Sequence, residues 1–406
     1  MSTHPIAVKR AMTHQAAAEA QPASSAHLWY IDNLRMVIIT LVVLIHVAGT
    51  YGAAEVAWFY HEPGETNILI FVITMLLGGV GSAFTMGLLF LIAGYFTPRA
   101  YDRKGAPLFL IDRFKRLGIP LLVFEFVILQ LVNYPVDALD GTAPAFGQYL
   151  VDHFRGLNTI GDGPVWFLAA LLLFCIGYAV WRLAADRVSD HTQTDQRIET
   201  NPPGNWAIAA FALGLGLVTF IVRIWALVGV YYEPLHLELA HAPQYIALFI
   251  VGSVAYRRNW LVRFPDTQAR LWRWIALLFV LLMLPLVVAA GAFSGELDPR
   301  GAGGLNWLSL AYSLWEGFMC VSMVIVVLIW FRQRFNHQGR LAKMMSDNCF
   351  AVYVLHPLII VWLALALRGL QMNLSLKFLL VAPIAIALCY AVAYLIRKIP
   401  FVKGVL

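Results

Sequence analysis

The chain reads Asp32-Asn33-Leu34-Arg35, then an apolar run from Met36 to Ile45 broken only by Thr40, then His46. Arg35 and His46 lie eleven residues apart. On an α-helix that is about 16 Å, roughly half the hydrocarbon thickness of a bilayer. The pattern predicts a membrane-spanning helix with Arg35 at one face and His46 near the middle. An ionisable side chain at that depth is costly and points to function. Histidine is the side chain best suited to move a proton near neutral pH.

The rest of the chain agrees with a membrane setting. Of 406 residues, 60% are hydrophobic and only 13% are charged, and the mean hydropathy is +0.72. A soluble domain of this size carries about twice that share of charge. The apolar residues fall into ten blocks of spanning length, at 34–54, 68–97, 118–136, 164–182, 207–229, 242–257, 273–292, 305–331, 350–368 and 375–396. An all-α polytopic membrane bundle of about ten transmembrane helices follows. Gly78, Gly79, Gly81 and Gly87 predict a break or strong tilt in the second block. Residues 1–28 lack an apolar core and read as a disordered cytoplasmic tail. Residues 29–400 form the membrane domain, and 401–406 a cytoplasmic end. Cys175, Cys320, Cys349 and Cys389 sit in or beside apolar runs, as buried thiols.

Lysine and arginine placement sets the orientation. With both termini in the cytoplasm, every second loop is basic. Of the 29 basic residues, only Arg155, Arg300, Arg368 and Lys377 remain outside, with Arg223 within a span. The net charge of +6 then reflects topology, and nucleic acid is not an expected partner. The outer loops mix aromatic and carboxylate groups, among them Glu62 and Glu233. Such pairs suit sugar faces and hydroxyls; an interfacial aromatic belt with solvated charge is the simpler reading of any one of them. Glycine and proline interruptions do not recur in two halves, which disfavours an inverted-repeat transporter.

Four patches carry chemistry. Asp32, Arg35 and His46 form the first. Six basic residues between Arg99 and Arg116 form the second. Within it Arg113 and Arg116 share a helix face and can clamp a polyphosphate or anionic lipid head groups. Gly163-Pro164-Val165-Trp166-Phe167 is the third, with Trp166 at the outer mouth of the fourth span. Tyr353-Val354-Leu355-His356-Pro357 is the fourth. Tyr353 and His356 share a helix face there, and His356 can reach the depth of His46. Two intramembrane histidines at one depth imply a polar chamber inside the bundle.

In this order the patches resemble the membrane-bound acyltransferase-3 family over residues 29–400. Arg35 and His46 match the family's first-helix spacing. Phe90-Leu91-Ile92-Ala93-Gly94-Tyr95 is similar to its "F-x-x-S-G-F/Y" run, with alanine in place of serine. Arg113 through Pro120 resembles its "R-x-x-R-x-x-x-P" loop, and Tyr353 to Pro357 its "Y-x-x-H-P". Trp29-Tyr30-Ile31-Asp32 and Gly163 to Phe167 look most like the glucan biosynthesis protein C branch. The glutamate that other branches carry near the fourth span is missing from Trp166-Phe167-Leu168-Ala169-Ala170.

The resemblance implies transfer of an acetyl or succinyl group from cytoplasmic acyl-CoA to a hydroxyl of an extracytoplasmic carbohydrate, such as periplasmic glucan. It implies a multi-pass protein of the bacterial inner membrane. His46 is then the general base, with His356 and Tyr353 orienting it or donating to the oxyanion. Arg35, Arg113 and Arg116, with Asp32, hold the CoA phosphates. Trp166, Glu62 and Glu233 face the acceptor. Acyl-CoA, the carbohydrate and membrane lipid are the expected partners, and no metal is expected. The competing class is a proton-coupled transporter or flippase that uses the two histidines as a relay.

Overall fold

The computed structural model describes residues 27–52, 58–65, 67–139, 141–156, 160–188, 200–291 and 298–406. Of the expected N-terminal tail, residues 1–26 lie outside the described residues. Among the described residues, nine helical stretches are long and apolar enough to cross a membrane. Helix is the expected form, because hydrocarbon offers no partner to an unpaired backbone N–H or C=O.

The first helix, α1, spans Trp29–Tyr51. It starts before the expected residue 34, so Asp32 lies in its first turn. The second stretch, Ile68–Leu139, runs for 72 residues. A straight helix of that length would measure over about 100 Å, far more than a bilayer. It doubles back at Gly105, whose φ of 69° suits a residue without Cβ. Across the turn Tyr101 packs edge-on against Phe109 at 5.6 Å, and Lys104 pairs with Asp112 at 3.0 Å. The two arms, α2 (residues 68–104) and α3 (residues 106–139), account for the second and third expected blocks. The flagged glycines of α2 produce a widened π turn at Met75–Gly81, so the arm is locally unwound and stays continuous.

The remaining helices are α4 (Phe146–Arg155), α5 (Trp166–Val188), α6 (Asn205–Arg223), α7 (Ala242–Arg257), α8 (Asp266–Ala289), α9 (Trp307–Arg334), α10 (Arg340–Ala366) and α11 (Leu374–Ile396). A last single turn covers Pro400–Lys403. Two of the boundaries that depart from the hydropathy reading have a visible cause. Helix α10 begins at Arg340, well before residue 350. Its polar first turns are held by side chains: Lys343 pairs with Asp347 at 3.1 Å, and Arg397 Nη1 donates to Asn348 Oδ1 at 3.1 Å. Helix α6 stops at Arg223, short of residue 229, where the guanidinium enters a buried ion pair.

Contacts sort the loops into two ends. At one, Asn33 Nδ2 donates to the carbonyls of Phe335 and His337, Asp102 binds Arg182 and Arg257, and Arg332 pairs with Asp266. Most basic residues gather there, so it is called the basic end. At the opposite end Asn67 meets Asn373, Ile160 N–H donates to Pro234 O, and Glu62 pairs with Lys377. Helices α1, α5, α9 and α10 are the most buried. Helix α8 presents Trp274, Leu281 and Leu284 outward, as a lipid-facing surface requires.

Glycine sets one helix crossing. A Cβ on Gly94 of α2 would lie 2.1 Å from Phe249 O, and one on Gly252 of α7 would lie 2.1 Å from Leu91 O. The backbones touch, as small residues in membrane helices permit. Ser253 Oγ donates across the crossing to Gly94 O at 3.1 Å. The Phe90–Tyr95 run therefore belongs to packing. Gly252→Val is expected to cost about 1–3 kcal/mol or more by overpacking, read as a lower melting temperature in detergent. An unchanged melting temperature would show that the two helices separate freely.

Candidate active site

His46 on α1 and His356 on α10 meet directly. His356 Nε2 lies 3.0 Å from His46 Nδ1, and the rings stack with centroids 4.9 Å apart. His356 Nδ1 lies 2.7 Å from Tyr353 O. A carbonyl only accepts, so Nδ1 carries the hydrogen. In a neutral pair His356 Nε2 then accepts from His46 Nδ1–H. His46 Nε2 is left with a free lone pair, the position a general base requires.

Residues 58–62 close over this pair from the opposite end. The Trp58 ring stacks on His46 at 4.2 Å and 14°. Its Nε1 donates to Thr50 Oγ1, which donates to His46 O. His61 Nδ1 contacts Gly49 O at 2.9 Å. Glu62 is buried: one carboxylate oxygen binds Lys377 Nζ at 2.6 Å, and the other accepts from Tyr60 OH at 3.0 Å. This pair staples the segment to α11.

The Gly163–Val165 turn is tied in by Tyr353, whose hydroxyl donates to Pro164 O. Gly163 has φ 60°, and a Cβ there would strike the Phe59 ring at 2.4 Å. Gly161 N–H donates to Glu125 Oε2 of α3 at 3.0 Å, a buried carboxylate not singled out from the sequence. The Trp166 ring stacks on Tyr245 at 5.3 Å.

A cavity of about 460 Å³ enters from the basic end. Arg35, Arg113, Arg116, Arg397 and Lys403 line it, with Asp347 as the one carboxylate side chain of the lining among the described residues. The buried Nε atoms of Arg35, Arg113 and Arg397 have no hydrogen-bond partner among the described residues. Three under-used guanidinium groups around one space have the chemistry to hold an anion. Arg116 is largely exposed at the mouth and pairs with Asp112 at 3.3 Å. Asp32 stays outside the lining, between Arg35 at 3.7 Å and His27 at 2.5 Å. Tyr353 also lines the cavity, one helical turn below His356.

A second polar cluster lies toward the opposite end. Arg223 Nη2 binds Glu316 Oε2 at 2.5 Å, and His241 Nδ1 lies 2.7 Å from Glu316 Oε1. Glu238 is partly buried, which would raise its pKa. Hydrogen bonds from His241 and from Gly229 N–H outweigh this and hold it below the usual carboxylate range.

The structure thus joins His46, His356 and Tyr353 into one unit, and Arg35, Arg113 and Arg116 into another beneath it. Glu62 is committed to Lys377. Glu233 is exposed and bonded to His236 at 2.9 Å, on a loop packed against residues 160–162. Arg397, Lys403, Trp58 and Glu316 escaped the sequence reading. Arg397 and Lys403 read only as basic-end charge, whereas a lone Glu316 within an apolar run was itself a signal.

The chain belongs to the acyltransferase-3 family: the family's sequence profile, an acyltransferase domain, matches residues 28–398. No curated protein and no solved structure matches it. A multi-pass helical membrane protein with an acyltransferase domain is the class that the fold and this match define.

Proposed function

We propose that the protein carries an acyl group, acetyl or succinyl, from cytoplasmic acyl-CoA to a hydroxyl of an extracytoplasmic carbohydrate such as periplasmic glucan. The basic end faces the cytoplasm in this reading, with both termini there, in a bacterial inner membrane. One observation carries it: a cavity with three unpartnered arginine Nε atoms leads from that face to Tyr353, beneath the histidine pair.

Arg35, Arg113 and Arg397 hold the CoA phosphates, with Arg116 and Lys403 at the mouth. The pantetheine arm follows the cavity inward. At the histidine pair, His46 Nε2 takes the proton of the acceptor hydroxyl as its oxygen attacks the thioester carbonyl. The tetrahedral adduct collapses, the C–S bond breaks, and the CoA thiolate recovers the proton. While cationic, the pair can share its charge across the His46–His356 hydrogen bond. Tyr353, its hydrogen given to Pro164, serves as a positioning residue for His356. Trp58 stacks on His46 and holds the orientation of its ring. Trp166 and Tyr245 offer an aromatic face at the acceptor side.

The test uses purified protein in nanodiscs, acyl-labelled CoA and a glycan extract of the cell envelope. Label is expected on the glycan, in step with release of free CoA thiol. Flux of glycan or protons in liposomes without thiol release would instead favour a transporter. Arg113→Ala and Arg397→Ala are each expected to raise the donor KM roughly 10- to 100-fold with a smaller change in kcat, as loss of a charged hydrogen bond predicts. An unchanged donor KM in both variants would remove the phosphate role.

A further inference from the structure

Helix α3 contains a π turn at Phe124–Ile128. Such turns are rare inside α-helices and frequently mark functional sites. This one carries Glu125, which is 1% exposed. A carboxylate buried in a membrane-spanning helix is costly and marks a role by default. Glu125 Oε2 accepts the backbone N–H of Gly161 at 3.0 Å. Gly161 is itself buried, and it opens the turn that leads through Gly163–Val165 into α5.

That turn is expensive to hold. Gly161 has φ 106° and Gly163 φ 60°, and ordering glycine costs more backbone entropy than ordering any other residue. Its anchors come from two sides: Ile160 N–H donates to Pro234 O at 2.6 Å, and Glu125 holds Gly161 from within the bundle. From the turn, two routes reach the histidine pair. Pro164 O accepts the Tyr353 hydroxyl, and the Tyr353 ring lies 6.1 Å from His356, whose Nδ1–H donates to Tyr353 O. Gly163 packs so closely on the Phe59 ring that a Cβ would lie 2.4 Å from it. Phe59 packs on Trp58 at 5.0 Å, and Trp58 stacks on His46 at 4.2 Å. One turn thus buttresses both histidines, His356 through Tyr353 and His46 through Phe59 and Trp58.

We infer that Glu125 is a positioning residue for acyl transfer: it anchors the Gly161–Val165 turn and, through that turn, the geometry of the His46–His356 pair. This rests on the acyltransferase reading above and adds a residue to its machinery. Without the carboxylate, the Gly161 N–H is buried and unpaired, and the turn relaxes to satisfy it. Pro164 O and the Phe59 contact move with the turn. A base displaced by about 1 Å is enough to cost on the order of 100-fold in rate. Glutamine at 125 keeps a carbonyl oxygen that accepts the same N–H. Leucine removes the acceptor but also removes a buried charge, so the bundle itself loses little. The arginines proposed to hold the donor phosphates lie at the cavity mouth and are not tied to this turn.

The experiment compares the full-length wild type with Glu125→Leu, Glu125→Gln, Tyr353→Phe and the double variant Glu125→Leu with Tyr353→Phe. Each is embedded in nanodiscs and given labelled acyl-CoA and envelope-glycan extract. Released thiol, labelled glycan and melting temperature are measured. Glu125→Leu is expected to lower kcat about 10- to 100-fold with donor KM and melting temperature little changed. Glu125→Gln is expected to recover most of that loss. The double variant is expected to lose less than the product of the two single losses, because both substitutions release the same turn. Wild-type kcat in Glu125→Leu, equal impairment by leucine and glutamine, or fully multiplicative losses would each overturn the inference and leave the acyltransferase reading intact. A melting temperature that falls together with a rising donor KM, up to failure to fold, would assign Glu125 to the fold alone and overturn it too. No thiol release by the wild type would overturn both.

Discussion

His46→Ala is expected to lower acyl transfer by about 10²- to 10⁴-fold, the range a positioned general base supplies. The bundle should remain folded, because His46 is partly buried at a site that already packs Trp58 and His356. Donor KM should change little, since the arginines proposed to hold the phosphates lie at the cavity mouth. His356→Ala leaves His46 in place but frees its Nδ1 from the accepting nitrogen that fixes the tautomer. A loss in kcat, with little change in donor KM, is expected there too. Full transfer by His46→Ala, measured with labelled acyl-CoA on protein of unchanged melting temperature, would refute the assignment of the base.

The largest stability effect is expected at Arg223. Its side chain is fully buried and bound to Glu316, with Ser313 and the Ala240 carbonyl as further partners. Its guanidinium also lies 4.8 Å over the Tyr312 ring. Arg223→Leu leaves the Glu316 carboxylate buried beside His241 alone. Removing one partner of a buried pair typically costs about 3–5 kcal/mol. Thermal unfolding in detergent should show the loss. The double variant Arg223→Leu with Glu316→Leu should recover part of it, because no unpaired charge is then left inside. An equal or greater loss in the double variant would mean that the pair stabilises the fold beyond mutual neutralisation.

Hydropathy made the helical bundle legible, because spanning segments must be both apolar and about twenty residues long. It located α7 and α11 almost to the residue, at Ala242–Arg257 and Leu374–Ile396. It misplaced the start of α10, since a helix continues past its apolar part wherever side chains satisfy its polar turns. The site was legible in kind. An intramembrane histidine has few inexpensive roles, so His46 and His356 stood out from spacing alone. Their partnership was not written in either segment, because 310 residues separate them and only the packing of α1 against α10 brings them within 3.0 Å.

Glu62 marks the limit of such reading. A carboxylate beside aromatic residues in a loop looks ready to bind a sugar. Whether it is free depends on a lysine 315 residues away, and Lys377 holds it at 2.6 Å. Arg397 is the converse case: as a terminal charge it looked like a topology marker, yet it shares a cavity with Arg35 and Arg113. The sequence by itself determined the membrane bundle, the location of its basic residues and the two histidines, because these follow from transfer energies of single side chains. The tertiary structure decided which charges are spent on each other, which remain unpaired, and where the histidine lone pair is left. Those are properties of pairs, set by distances that no single segment contains.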